Sequence, residues 1–186
     1  MKRLKRKLKS SLGMSLGELL CAVLILTLVS GGMASAVALG VRQYQQSMRT
    51  SEAKILCSTL ETILRSELAY TTQIKLNEDD TVAQFQSQNF AIKGNLSTLM
   101  TDGAGQQSGY GHVILANCDN PDEYMNVLGR GAYTNGLLAK VDSFTYATSN
   151  HCFTVKLSVG NDDETYATRT FQVLHVNYKL LNASPS

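Results

Sequence analysis

From Leu19 to Val41 the chain runs 23 residues without a charge, long enough to cross roughly 30 Å of hydrocarbon. The first part, Leu19 to Val29, is strongly apolar. Ser30 to Gly40 is rich in Gly, Ala and Ser, small residues that let a neighbouring helix approach closely. Gly31-Gly32 weakens the helix by roughly 1 kcal/mol per Gly relative to Ala, so a local bend or a melted turn is expected there. Past Val41 the helical rhythm becomes one-sided. Val41, Tyr44, Met48, Ile55, Leu60, Ile63, Leu64 and Leu68 recur at helical steps, while Arg42, Gln45, Gln46, Arg49, Glu52, Lys54, Glu61, Arg65 and Glu67 fill the other faces. No proline precedes Pro121, so Met14 to about Leu68 reads as one helix of roughly 80 Å.

The middle of the chain is less patterned. Tyr70 to Gly111 is polar, with Gly94-Asn95 and Gly103-Ala104-Gly105 reading as loops, and Phe85, Phe90 and Ile92 mark an element of undefined type. His112 to Ala116 has the character of a short strand, and Asn117 to Gly136 is loop-rich. The last quarter is clearer. Val141 to Ala147 alternates Val141, Ser143 and Thr145 against Asp142, Phe144 and Tyr146. Phe153, Val155, Leu157 and Val159 alternate with Thr154, Lys156 and Ser158. Gly160 to Glu164 turns the chain, and Tyr166 to Val176 returns it with Phe171 and Val173 facing one way. This is an antiparallel meander of at least three strands. Its apolar face needs a cover, and the helix stripe from Val41 to Leu68 is the only long candidate. The expected class is therefore α+β: a long N-terminal helix packed on a C-terminal antiparallel sheet.

Charge sharpens this picture at one end. Of the 17 Lys and Arg, six fall in the first nine residues, and no acid precedes Glu18. Without residues 1–13 the chain would carry eleven basic against fifteen acidic residues, a charge of −4. The basic balance is thus a targeting feature that holds the N-terminus in the cytoplasm, and no nucleic-acid face is read from it. Glu18 stands at the lip of the apolar span. A carboxylate deep in a bilayer costs roughly 2.5–3.5 kcal/mol, less near the interface, so such a residue calls for a partner.

The residues around Glu18 carry a resemblance. The basic leader, Gly13, Met14 and then Ser15-Leu16-Gly17-Glu18-Leu19-Leu20 closely resemble the processing motif of type IV pilins and pseudopilins. Members of that family have a basic leader cut by a membrane peptidase just after a glycine, a methylated new N-terminus, and a glutamate four residues further on. They share a long N-terminal helix packed on an antiparallel sheet. The resemblance implies cleavage after Gly13, methylation on Met14, and Glu18 as the acid that pairs with a neighbouring subunit's N-terminal amine. It implies a prepilin peptidase and methylase as partner, with other pilin subunits and the cytoplasmic membrane. Met14 stands where Phe is usual, Gly17 where a bulky aliphatic is common, and the mid-helix proline is missing. On this reading residues 1–13 are leader and 14–41 the membrane and assembly helix. Residues 42–69 are its amphipathic continuation, and 70–186 an extracytoplasmic region.

Other signals were weighed against this one. Gly13-Met14-Ser15-Leu16-Gly17 fits a hydrolase elbow, but that motif needs a strand before it, and here a basic leader stands there. Ala34-Ser35-Ala36 has the form of a signal-peptidase site, and cleavage there would release a secreted binding protein beginning at Val37. The cysteines are Cys21, Cys57, Cys118 and Cys152. Cys118 and Cys152 fall in the distal region, where a disulfide between them and two free buried thiols are both open. His112, His151, Cys118 and Cys152 match no zinc spacing, and Asp162-Asp163-Glu164 lacks the pattern of a calcium loop. No metal or cofactor is expected. No nucleophile, base and orienter can be placed together, so an enzyme is not expected either.

Overall fold

The computed structural model describes residues 15–86, 93–99, 109–120 and 122–178. One α-helix, α1 (Leu16–Ala69), is followed by eight strands: β1 (Gln73–Leu76), β2 (Val82–Gln86), β3 (Lys93–Leu99), β4 (His112–Asn117), β5 (Tyr124–Asn126), β6 (Leu138–Ala147), β7 (Cys152–Gly160) and β8 (Thr165–Leu174). The fold is α+β, a long N-terminal helix on antiparallel sheets. Residues 1–46 and 47–186 form separate compact units.

In the second unit, α1 buries Ala53, Leu56, Cys57, Leu60, Leu64 and Leu68, a stripe at three- and four-residue steps. This stripe differs from the expected one. Leu60, Leu64 and Leu68 lie on it, but Tyr44 and Ile55 are 66% and 65% exposed, and Val41 and Met48 are exposed as well. Small residues explain the rotation: with Ala53 and Cys57 on the inner face the sheet side chains approach the helix closely, and Ile55 is left on the outside. The helix stops where the β-branched pair Thr71-Thr72 leaves it. The Thr71 hydroxyl caps the Glu67 carbonyl at 3.4 Å, and the Thr72 N–H donates to Gln86 O at 2.8 Å.

The strands form two sheets, β1-β2-β3-β4-β5 and β6-β7-β8, each in sequence order and antiparallel throughout. In the central strand β7, Phe153, Val155, Leu157 and Val159 are all fully buried, each gaining about 1.5–3 kcal/mol by leaving water. The β6 pairing is bulged between Val141 and Ser143. The extra residue shifts the phase of the strand, so that Ala139 before it and Phe144 and Tyr146 after it are all buried. That is why alternation placed Phe144 and Tyr146 together but set Val141, which is half-buried, on the other side. Between β7 and β8 the Asn161 carboxamide accepts the N–H groups of Asp163 and Glu164. Gly160 has no alternative here, since a Cβ would collide with the Glu164 carbonyl.

The five-stranded sheet is where the sequence reading falls short. Gly94 and Asn95, expected in a loop, lie in β3 and pair with Asn117 and Ala116 of β4. Phe85 is a fully enclosed core residue of β2, edge-on to Phe144 at 5.5 Å. Phe90, Ile92 and Gly103 to Gly105 lie outside the described residues. Within the loop-rich stretch from Asn117 to Gly136 there is one short strand, β5, and a single 3-10 turn, Arg130–Ala132.

Candidate functional site

The candidate site is the first half of α1. Gly13 and Met14, the expected cleavage and methylation positions, lie outside the described residues. At the first described turn, the Ser15 N–H donates to Glu18 Oε2 at 3.0 Å and the Glu18 N–H donates to Ser15 Oγ at 3.2 Å. This is a reciprocal capping box, which satisfies two backbone donors that a helix start leaves without partners. The Ser-x-x-Glu spacing was present in the sequence as its signal, and it gives Glu18 a local task beside the expected intermolecular one. Ser15 serves here as a helix cap, its hydroxyl accepting the Glu18 N–H.

Every residue from Ser15 to Arg49 is exposed, including Leu19, Leu20, Val23, Leu24, Ile25, Leu26, Leu28 and Val29. The most apolar 18-residue window of the helix is not buried by the protein at all, and by length and composition the helix is fit to cross or anchor in a membrane. Its few hydroxyls are turned inward. Thr27 donates to Leu24 O at 2.8 Å, Ser30 to Leu26 O at 2.7 Å and Ser35 to Gly31 O at 2.9 Å. A hydroxyl bonded to its own helix presents little polarity to lipid. Gly31 and Gly32 are α-helical, so the melted turn expected there does not form, and at Gly31, Gly32 and Gly40 an added Cβ would meet nothing. The protein's own packing therefore gives no reason for these glycines. Ala34, Ser35 and Ala36 are likewise helical and exposed. No family model, curated protein or solved structure matches the chain.

The remaining candidates are dispersed. All four cysteines are free, so the optional bridge between Cys118 and Cys152 is not made. Nor are these buried thiols: Cys118, just past β4, is exposed with Sγ 3.7 Å from Ala83 O, and Cys152, opening β7 in the other sheet, is half-buried. The interior thiol is Cys57, which burial pushes up to about 11. His112 packs on Tyr133 with ring centroids 4.5 Å apart, whereas His151 stacks on Tyr178 at 4.0 Å. Among the described residues, no group of three or more His, Cys, Asp or Glu is placed to hold a metal ion. Asp162, Asp163 and Glu164 form the exposed hairpin turn.

An ionic cluster around the largely buried Glu61 carboxylate fixes α1 to the three-stranded sheet. Glu61 is received by Arg65 Nη2 at 2.8 Å and by Arg169 Nε of β8 at 2.6 Å. Arg65 also donates to Gln172 O at 2.6 Å and lies over the Phe171 ring, 5.2 Å from its centroid. Burial alone would raise the Glu61 carboxyl, but the two guanidinium groups outweigh it and hold it below its ordinary value. The helical pattern sets Glu61 and Arg65 on faces other than the apolar stripe. The pair is legible as an i, i+4 spacing, whereas Arg169 needed the fold.

Proposed function

We propose that this chain is a membrane-inserted, non-enzymatic filament subunit of the type IV pilin or pseudopilin kind. It is trimmed after Gly13 by a prepilin peptidase, methylated on Met14, and assembled with other such subunits through the first half of α1. A filament-priming or minor structural role fits the short meander and the irregular region before it. The observation that carries this reading is the exposure of every residue from Ser15 to Arg49, a run of apolar helix for which the fold has no use. Lipid covers such a surface first; after assembly, the helices of neighbouring subunits replace lipid. The resemblance of residues around Gly13 and Glu18 to the family's processing motif supports the same reading.

The chemistry of the start of the helix is consistent with that sequence of events. Trimming removes the six leader charges that tether the chain to the cytoplasmic face and creates an ammonium group four residues before Glu18. A charge left unpaired in a low-dielectric setting costs several kcal/mol, so an amine of one subunit and the carboxylate of another favour assembly in one register. The capping box does not compete with that pairing. Glu18 uses Oε2 toward Ser15, and a carboxylate has lone pairs on both oxygens, so Oε1 retains capacity for a neighbour's ammonium.

The experiment is replacement of Glu18 by Val and, separately, by Gln. Both variants are expected to remain in the membrane fraction and to drop out of sheared filaments, or out of complexes with partner subunits, at least about tenfold, as loss of one partner of a buried pair requires. Unchanged incorporation of both variants would remove the ion pair from the account.

A further inference from the structure

A chain of hydrogen bonds ties the last described segment to the end of α1, and its protonation states are fixed by its partners. His175, immediately after β8, is fully buried. Its ring Nε2 lies 2.7 Å from Thr71 O. A carbonyl only accepts, so Nε2 carries the proton and neutral His175 has a lone pair on Nδ1. The Tyr146 hydroxyl, 3.3 Å from that Nδ1, donates to it. The phenol oxygen in turn lies 3.5 Å from His151 Nδ1 and, with its own hydrogen given to His175, can accept from the Nδ1–H tautomer of His151. Proton donation thus runs in one direction, from His151 through Tyr146 and His175 to the Thr71 carbonyl. Around this relay the backbone of the same segment is held in three places: His175 N–H to His151 O at 2.9 Å, Val176 N–H to Ala69 O at 2.9 Å, and the Asn177 carboxamide to Tyr70 O at 3.3 Å. The Tyr178 ring closes the arrangement by stacking on His151, which sits at φ 53, a region that a β-carbon disfavours.

We propose that His175, Tyr146 and His151 form a pH-sensitive clasp that holds residues 175–178 against the end of α1 at neutral pH and releases them on acidification. One proton is tolerated. If His175 gains a proton on Nδ1, Tyr146 accepts from it and turns its own hydrogen toward His151, which changes tautomer to receive it. A second proton is not tolerated, because both imidazolium rings then donate to one phenol oxygen whose hydrogen has no acceptor left. The two rings would also be like charges across a single hydroxyl.

Among the described residues, the relay is faced from several elements. From β6 comes Tyr146, from the β6–β7 turn His151, from β7 Cys152, and from the C-terminal segment Tyr178. The acidic side chain on the same turn of α1 is Glu67, and it is not among the groups acting on His175. Those groups are burial and His151, which lower its pKa, and the Thr71 carbonyl, which opposes them. A base held below its ordinary value of 6.5 stabilises the closed form above that value and loses the contribution as pH falls through it. Opening frees the end of α1 and the β6–β7 turn, surfaces that are covered when the clasp is shut.

The test uses the full chain in detergent micelles with nitrogen-15 labelling. Between about pH 8 and about pH 5, the amides of His175 and Val176 are expected to lose at least about tenfold in exchange protection relative to those of Val155 and Leu157, in step with the histidine titration. Tyr146→Phe removes the hydroxyl between the two rings and should weaken the pH dependence of the Val176 amide. His175→Gln retains a donor for Thr71 and removes the titration, so the pH dependence of Val176 should vanish. Should His175→Gln not fold, His151→Asn carries the same comparison and should shrink the pH dependence. Protection at Val176 that does not change with pH, once intrinsic exchange rates are removed, would overturn the clasp, and so would an unaltered pH dependence in the folded His175→Gln or His151→Asn chain.

Discussion

The two halves of α1 are built from similar apolar residues and put to opposite uses. From Ser47 to Ala69 the helix interior is paid for by the sheets: Leu60 is 0% exposed, and Ala53, Leu64 and Leu68 are enclosed with it. From Leu16 to Gln46 the same kind of side chain stays exposed, with Leu24 53% exposed and its neighbours similar. Leucine content therefore does not distinguish the halves; the distribution of charge does. The second half carries Arg49, Glu52, Lys54, Glu61, Arg65 and Glu67 beside its apolar stripe, while the first carries no charge from Leu19 to Val41. An amphipathic helix is satisfied by one covered side, whereas a helix apolar all round needs a cover on every side.

The contrast can be broken most strongly inside the fold. Leu60→Ala should cost about 2–5 kcal/mol, read as a lowered unfolding midpoint, because it empties a fully enclosed position. The matching change in the first half, Leu24→Arg, should leave that midpoint where it was. It should instead weaken membrane retention in alkaline extraction, by less than the roughly 2.5–3.5 kcal/mol that an arginine costs at the centre of a membrane helix, because Leu24 lies in the first third of the span. A smaller effect tests the ionic cluster. Glu61 is held below its ordinary value of 4.5, so it contributes stability above that pH and loses it as pH falls toward the folded value. Acid unfolding should therefore steepen below about pH 4.5, and Glu61→Gln should flatten that limb while lowering stability at neutral pH. This window lies below the histidine window of the clasp, which keeps the two distinct. The smallest effect is expected at Ile55, which sits in the second half but faces outward: Ile55→Ala should change stability by less than about 0.5 kcal/mol.

How much of this was legible in the sequence followed how strictly each element alternates. β7 is readable because every second residue from Phe153 to Val159 is Val, Leu or Phe, β8 through Phe171 and Val173, and the covering helix because its apolar positions recur at helical steps. The β6 phase was misread past Val141 because a bulge consumes one residue without leaving a mark in composition. β1, β2 and β3 escaped because Gln73 to Gln86 and Lys93 to Leu99 are rich in Gln, Asn, Ser and Thr and offer few apolar beats. Among the described residues, β2 and β3 pair through Phe85 with Gly94 and Gln86 with Lys93. The inner face of α1 was placed by size, through Ile55 and Met48, when the close approach of the sheet had selected Ala53 and Cys57. At the candidate site the apolar span and Glu18 were plain to read. The link between Ser15 and Glu18 is written in the sequence as a Ser-x-x-Glu spacing, and the structure shows what it makes.

The central claim is that the exposed half of α1 is retained in the mature protein and begins directly after Gly13. The mass of the N-terminal peptide of the protein recovered from its native membrane or filament tests this most directly. The account predicts a chain that starts at Met14 and carries a methyl group on its amine. A chain that starts at Val37, or one that retains Met1, would contradict it.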